Sequence, residues 1–448
     1  VTTLDAPELI RYVTQQRWYG AKTRAVSASE VLDTVVIRSA EPEFALSLVE
    51  MRYETGAHDI YQLLYASHEG DVRIDGLAED PGLARELVSA MRGGLTLQGG
   101  EGIVEFRPAE DFSALSRELG SARLVGAEQS NSSIVFDESL ILKLFRRLEP
   151  GINPELEMLR FLGERGFENI APLGGWYGYT GGPLGATLGI LQEYVSSGID
   201  GWELALDEIA TAPERFLDRL RRLGEVTGQM HTLLGSDPSD PAFAPEGPSV
   251  ESLGLLTATV DEEIARVFFS LPEEDEVLAP ILGRGEEVRE QLRLLAQAGS
   301  TGRIIRTHGD YHLGQTLWAG NDWVILDFEG EPARPLVERR RKRSPLRDVA
   351  GMLRSFAYAA TASALARGIE PPEDWEDRAR ERFLAGYFET ADPTLLPPGQ
   401  TAVERMLAVF ELEKAVYELR YELDNRPDWV RIPVAGIQRL IETAAEIA

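Results

Sequence analysis

Asp310 stands in the polar loop His308-Gly309-Asp310-Tyr311-His312-Leu313-Gly314-Gln315. A second carboxylate, Asp327, closes the apolar run Trp323-Val324-Ile325-Leu326. Phosphoryl transfer asks little covalent chemistry of a protein. It needs a base for the acceptor hydroxyl and hard oxygen ligands for the metal on the nucleotide phosphates. Asp310 suits the base. Gln315 and Asp327 suit Mg²⁺, while Gly309 and Gly314 permit a tight backbone. The chemistry expected is ATP-dependent transfer of a phosphoryl group to a hydroxyl.

Other residues fit the same chemistry. Lys143 lies inside the apolar strand-like run Leu140-Ile141-Leu142-Lys143-Leu144-Phe145. Such a lysine is an edge or snorkelling residue, or it reaches nucleotide phosphates and pairs with a helix glutamate. Glu157, or in second place Glu155, would be that glutamate. Ser130, Asn131 and Ser132 precede this hairpin and offer backbone N–H groups to phosphate, although an ordinary polar turn explains them as well. Glu193 and Val195, at the end of another apolar run, stand where a hinge would meet adenine. His308 and His312 raise a rival, zinc hydrolysis. The other histidines, His58, His68 and His231, form no second pair in the sequence.

The elements that must carry these residues follow from periodicity. Residues 1–90 read as an α+β cap, with a helix over 4–14 and strands over 31–37, 44–51 and 60–65. Residues 91–200 read as a small sheet lobe, with a hairpin at Asp137-Glu138-Ser139, a helix over 154–163 and a strand over 189–195. From 201 to 448 helical spacing dominates, and the two motif segments are the strand-like inserts. The fold class expected is α+β, bilobal and protein-kinase-like, with an extra N-terminal cap and a large, mostly helical C-terminal lobe.

The chain has 448 residues and a net charge of -29. That length suits two or three domains. That charge makes nucleic acid and anionic lipid poor partners. The run Arg339-Arg340-Arg341-Lys342-Arg343 is a local exception, either a solvated face or a basic rim near the nucleotide. Cys is absent, which fits a cytoplasmic location. No signal peptide and no membrane span are expected.

With these residues in place, the chain resembles the aminoglycoside phosphotransferase and choline kinase superfamily, and within it the bacterial maltokinase group. The likeness rests on the 308–315 block, on Asp327-Phe328-Glu329-Gly330-Glu331-Pro332 and on Ser344-Pro345-Leu346-Arg347-Asp348-Val349-Ala350-Gly351-Met352-Leu353-Arg354-Ser355-Phe356. It extends to Gln16-Arg17-Trp18-Tyr19-Gly20-Ala21-Lys22, to Glu413-Lys414-Ala415-Val416-Tyr417-Glu418-Leu419 and to Asn425-Arg426-Pro427-Asp428-Trp429. The resemblance implies transfer of the ATP γ-phosphoryl to the anomeric hydroxyl of maltose, or to glucosamine in a close relative. It also implies a monomer that could associate with a trehalose-converting enzyme. It puts the sugar site in the helical lobe, where Lys414, Tyr417, Glu418 and Tyr421 share helical spacing, with His312 nearby. An ordinary surface helix is the alternative for those four.

Overall fold

The computed structural model describes residues 5–69, 71–110, 112, 117–125, 131–272, 274–296, 302–332 and 334–447. They form two compact units. One comprises residues 1–197 with 332–339; the other comprises 198–331 with 340–448.

The first unit holds two antiparallel sheets. Val26–Arg38, Glu43–Tyr53 and His58–His68 form a meander. Asp71–Arg73 and Arg147–Leu148 both pair with its last strand. Helix Ala6–Gln15 lays Leu9 and Val13 onto this sheet beside Trp18, Tyr19 and Tyr61. The seven-stranded sheet runs Thr96–Gln98, Gly102–Pro108, Leu173–Gly181, Gly185–Glu193, Leu140–Phe145, Asn131–Phe136 and Ala122–Val125. The hairpin between its Asn131–Phe136 and Leu140–Phe145 strands turns through Asp137 and Glu138, both at positive φ. Sequence reading passed over Leu173–Gly181, because Gly174, Gly175, Gly178 and Gly181 dilute its apolar pattern.

Buried polar bonds tie the two sheets together. Gln62 Nε2 donates to the carbonyls of Phe145 (3.1 Å) and Leu188 (2.8 Å), and Tyr177 donates to Gln62 Oε1 at 2.7 Å. Asp33 accepts from Tyr179 at 2.7 Å and from the Gly100 N–H at 2.7 Å. Asp75 accepts from Tyr12 at 2.8 Å and from the buried Arg146 at 2.9 Å. Each leaves a polar group satisfied in a dry place, where losing its partner costs about 1–3 kcal/mol.

The second unit is mostly helical. Its principal helices are Gly201–Thr211, Pro213–Leu234, Val250–Phe269, Gly285–Leu295, Leu346–Arg367, Trp375–Thr390, Gln400–Asn425 and Arg431–Ile447. A small sheet of Ile199–Asp200, Thr316–Ala319 and Asp322–Ile325 carries the two motif segments. Pro213–Leu234 and Trp375–Thr390 approach backbone to backbone. A Cβ on Gly224 would strike the Phe383 carbonyl, and one on Gly386 the Arg221 carbonyl. This close packing fixes His231 and Tyr387 inside the unit, with His231 Nδ1 accepting from Tyr387 at 3.1 Å. Among the described residues, no helix is long and apolar enough to cross a membrane.

Candidate active site

In the second unit the 308–315 loop is held from below by one buried carboxylate. Asp348, in the first turn of Leu346–Arg367, accepts the backbone N–H of His308 at 2.7 Å and of Gly309 at 3.0 Å. His231 Nε2 also meets Asp348, at 3.1 Å. Burial pushes the Asp348 carboxyl up. Its hydrogen bond to His231, the charges of His231 and His308 and the Gly309 N–H outweigh that and hold it below the usual range. Asp348 entered the sequence reading only within the 344–356 block, with no role assigned, and His231 only as a histidine without a second. An Asp in a helix first turn reads as an ordinary dipole partner.

His308 links the two motif segments. Its Nε2 donates to the Leu326 carbonyl at 2.8 Å, and its ring packs on Phe328 with centroids 5.0 Å apart. Its Nδ1 accepts the Asp310 N–H at 3.4 Å. Gly309 (φ 86°) passes against the Gly330 Cα, so the loops touch through two glycines. Asp327 itself sits at φ 59°, a left-handed conformation that Asp tolerates better than most residues. Gln315 Nε2 donates to Asp327 Oδ2 at 3.2 Å. The amide and the carboxylate expected to ligate metal are therefore adjacent, and together they are the hard donor set Mg²⁺ accepts.

Both nitrogens of His308 are committed, so the pair His308 and His312 does not make a zinc site. His312 Nδ1 accepts the Gly314 N–H at 3.1 Å, capping the short turn Leu313–Gln315. Burial lowers the His312 pKa first of all; the Asp310 charge opposes this, and Lys414 and His308 add to it. With Nδ1 accepting the Gly314 N–H, the ring nitrogen left to donate is Nε2.

Asp310 meets Lys414, whose Nζ lies 3.8 Å from Asp310 Oδ1. Lys414 belongs to Gln400–Asn425 and also lies 5.8 Å from the Tyr417 ring centre. Tyr417 and Tyr421 stack one turn apart, with centroids 6.5 Å apart and planes 18° from parallel. Burial, then the charge of Glu331, raises the Tyr417 pKa. Glu418 is a correction. It faces the lobe interior, where its Oε2 accepts from Nε (3.0 Å) and Nη2 (2.7 Å) of the buried Arg354. A buried guanidinium must keep a counter-charge, so Glu418 serves the core and not an exposed sugar face.

In the first unit Lys143 Nζ pairs with Glu155 Oε1 at 2.6 Å. This corrects the preference for Glu157. Asn153 caps the helix Pro154–Glu164 by accepting the Glu155 N–H at 2.8 Å, which turns Glu155 inward and leaves Glu157 half-buried. Ser132 Oγ accepts from Arg146 Nε at 2.8 Å. Asn131 opens the strand Asn131–Phe136 opposite Phe145. Ser130 lies outside the described residues. At the end of Gly185–Glu193, the Glu193 N–H donates to Pro172 and the Tyr194 N–H to Ser139, at 2.9 and 2.8 Å. The backbone hydrogen bonds among the described residues leave the Val195 N–H outside this turn. In the basic run, Arg339 pairs with Glu149 at 2.9 Å and Lys342 with Glu246 at 2.5 Å, so at these two positions the charges serve local ion pairs.

Residues 121–394 match the family described as "Phosphotransferase enzyme family", and residues 12–94 match "Maltokinase N-terminal cap domain". A glucosamine kinase of Streptacidiphilus jiangxiensis is 25% identical over 443 residues, spanning 91% of this chain and 97% of the relative. A glucosamine kinase of Mycolicibacterium smegmatis is 24% identical over 350 residues, spanning 74% of this chain and 82% of the relative. The solved structure of a glucosamine kinase in complex with glucosamine, ADP and inorganic phosphate superposes with a TM-score of 0.74 at 19% identity. It covers 96% of this chain and 98% of that one. The kinase-like α+β fold is thereby the same.

Proposed function

Because the chain belongs to the phosphotransferase enzyme family, we propose that it moves the γ-phosphoryl of ATP onto a sugar hydroxyl, with Asp310 as the base. Membership makes it an enzyme with an alcohol-group acceptor; the roles of single residues and the sugar are the proposal. The observation that carries the sugar reading is the company of Asp310. One helix presents Lys414 to that carboxylate and sets the stacked pair Tyr417 and Tyr421 beside it. An aromatic platform with charged and hydrogen-bonding groups is what a hydroxyl-rich ring requires.

Asp310 accepts the proton of the attacking hydroxyl as its oxygen bonds to the γ-phosphorus and ADP leaves. His312, with Nδ1 accepting the Gly314 N–H, offers an Nε2–H donor to the sugar. Gln315 and Asp327 would hold Mg²⁺, which would supply charge neutralisation on the nucleotide phosphates. Lys143, fixed by Glu155, contacts phosphate, and the Val195 N–H meets adenine. The organisation into a cap (1–90), an intermediate sheet subdomain (91–200) and a helical lobe (201–448) is part of this reading.

Glucosamine is the first acceptor proposed, because a relative that carries that name aligns over 91% of this chain and 97% of its own length. Maltose is the second. Its support is the cap match over 12–94, together with the resemblance of the motif blocks. ADP release measured with glucosamine, maltose and glucose tests both. Glucosamine should give the highest kcat/KM, and the highest value with maltose would transfer the assignment to the second reading. Asp310→Asn should lower kcat by roughly 10²–10⁴ with the preferred sugar. No sugar-dependent rate above the ATPase background, or an unchanged kcat in Asp310→Asn, would refute the proposal.

A further inference from the structure

The first unit has a concavity on the face of the seven-stranded sheet that carries Lys143 and the helix Pro154–Glu164, beyond the Gly185–Glu193 strand from that lysine. Its volume is about 360 Å³, and Arg107, Leu156, Arg160, Trp176, Thr180 and Thr187 are among its lining residues. Antiparallel register builds the floor. Trp176 stands opposite Arg107, Gly178 lies between Glu105 and Thr187, and Thr180 faces Gly185. Alternation turns the Tyr177 and Tyr179 side chains to one side of the sheet and leaves Trp176, Gly178 and Thr180 on the other, the side of Arg107 and Lys143. A Cβ on Gly185 would meet nothing closer than a carbonyl oxygen at 3.9 Å, so the floor is open there.

The wall is the helix Pro154–Glu164. Ile152, Leu156 and Arg160 recur at spacing four along it and its lead-in, and all three line the cavity. Arg160 lies over the indole of Trp176, with its guanidinium carbon 4.9 Å from the ring centre. Stacking holds the planar fork in one orientation and leaves its N–H edges for a ligand. Thr187 Oγ1 accepts the Asn153 N–H at 3.0 Å, so its own proton is available to another acceptor. The lining charges are Arg107 and Arg160 against Glu105, two positive and one negative, in a chain of net charge -29. Arg107 pairs with Glu105, and Arg160 with Glu164 at 3.7 Å. Both pairs are solvent-facing, and such pairs yield readily to a better anion.

We propose that this groove binds a phosphate monoester of monosaccharide size. Two arginines, one pre-oriented on an indole, match a phosphate dianion. The hydroxyls of Thr180 and Thr187 and the glycine floor suit the polar remainder. The volume exceeds what bare phosphate fills, which favours the ester over the free ion. The site is independent of the sugar proposed above, because none of its lining residues belongs to the catalytic set.

Calorimetric titration tests it, using the full chain saturated with a non-hydrolysable ATP analogue so that the nucleotide site is closed to phosphate. Glucose 6-phosphate and inorganic phosphate are the two ligands, with glucose as the neutral control. One equivalent of glucose 6-phosphate should bind, glucose should not, and Arg160→Gln and Arg107→Gln should each weaken binding at least about tenfold. Trp176→Leu should weaken it less, by releasing the Arg160 fork. Tighter binding of the ester identifies the monoester as ligand; equal affinity identifies free phosphate as the source of the same chemistry. Thermal unfolding midpoints unchanged by the surface arginine variants would show that folding is not the cause. No binding to the saturated protein, or wild-type affinity in both arginine variants, would overturn the proposal.

Discussion

Asp310, the base proposed above, depends on a carboxylate it does not bond to. Asp348 fixes the backbone of His308 and Gly309, and those residues aim the loop. Its folded-state pKa lies below the ordinary aspartate value. The sign of the pH effect follows. The unfolded state binds the proton more readily, so Asp348 contributes stability above about pH 4 that is lost as pH falls through the lower folded value. Asp348→Asn should therefore flatten the acid limb of stability, read from urea midpoints between pH 2.5 and 7. At neutral pH it should cost about 1.5–3 kcal/mol, the range for hydrogen bonds to a charged group. An acid limb as steep as wild type would remove Asp348 from this role. Residue types at 310, 315 and 327 could be read in the sequence because their spacing is chemical. Asp348 could not, since its partners are backbone N–H groups that no side-chain pattern advertises.

At the scale of single elements, the helix Pro154–Glu164 decides which glutamate serves Lys143. Its cap residue Asn153 sets the helical phase, and that phase buries Glu155 while Glu157 stays half-buried. The pair is largely dry, with side-chain exposures of 16% for Lys143 and 0% for Glu155. Removing one member of such a pair costs about 3–5 kcal/mol. Glu155→Gln should lower the thermal midpoint and raise the KM for ATP several-fold, while Glu157→Gln should leave KM within about twofold. The reverse ranking would restore the original preference. Sequence gave the helix and its start but not its rotation: a one-position change in phase moves a residue by about 100°. The long Gln400–Asn425 helix teaches the same lesson. Lys414, Tyr417, Glu418 and Tyr421 share spacing, yet Arg354 on the neighbouring helix claims Glu418 for the interior. Elements with strong periodicity were legible in the sequence; the glycine-diluted strand Leu173–Gly181 was not.

For the molecule as a whole, the cap is no appendage to the first unit. Gln62, Asp33 and Asp75 each place a polar group against residues beyond position 94. Arg147–Leu148 adds a strand to the cap sheet. A chain beginning at residue 95 should lose Gln62 from beneath Tyr177 and Asp75 from beside Arg146, stripping the phenol of its acceptor and the guanidinium of its counter-charge. It should be unfolded or aggregation-prone, with fast proteolysis and no cooperative thermal transition. A folded, cooperatively melting truncation would show that the two sheets stand independently.

The polypeptide leaves the second unit after Glu331, visits the first over 332–339, and returns. During that visit the Leu336 N–H and Arg339 both satisfy Glu149, at 2.8 and 2.9 Å. A ribosome must therefore translate well past residue 197 before Glu149 meets its permanent partners. Neither unit is contiguous along the message, so a genetic cut at residue 197 separates Glu149 from the excursion that completes it. Splitting this protein into reporter halves should succeed only where a single piece carries both Glu149 and residues 332–339, with the cut before the one or after the other.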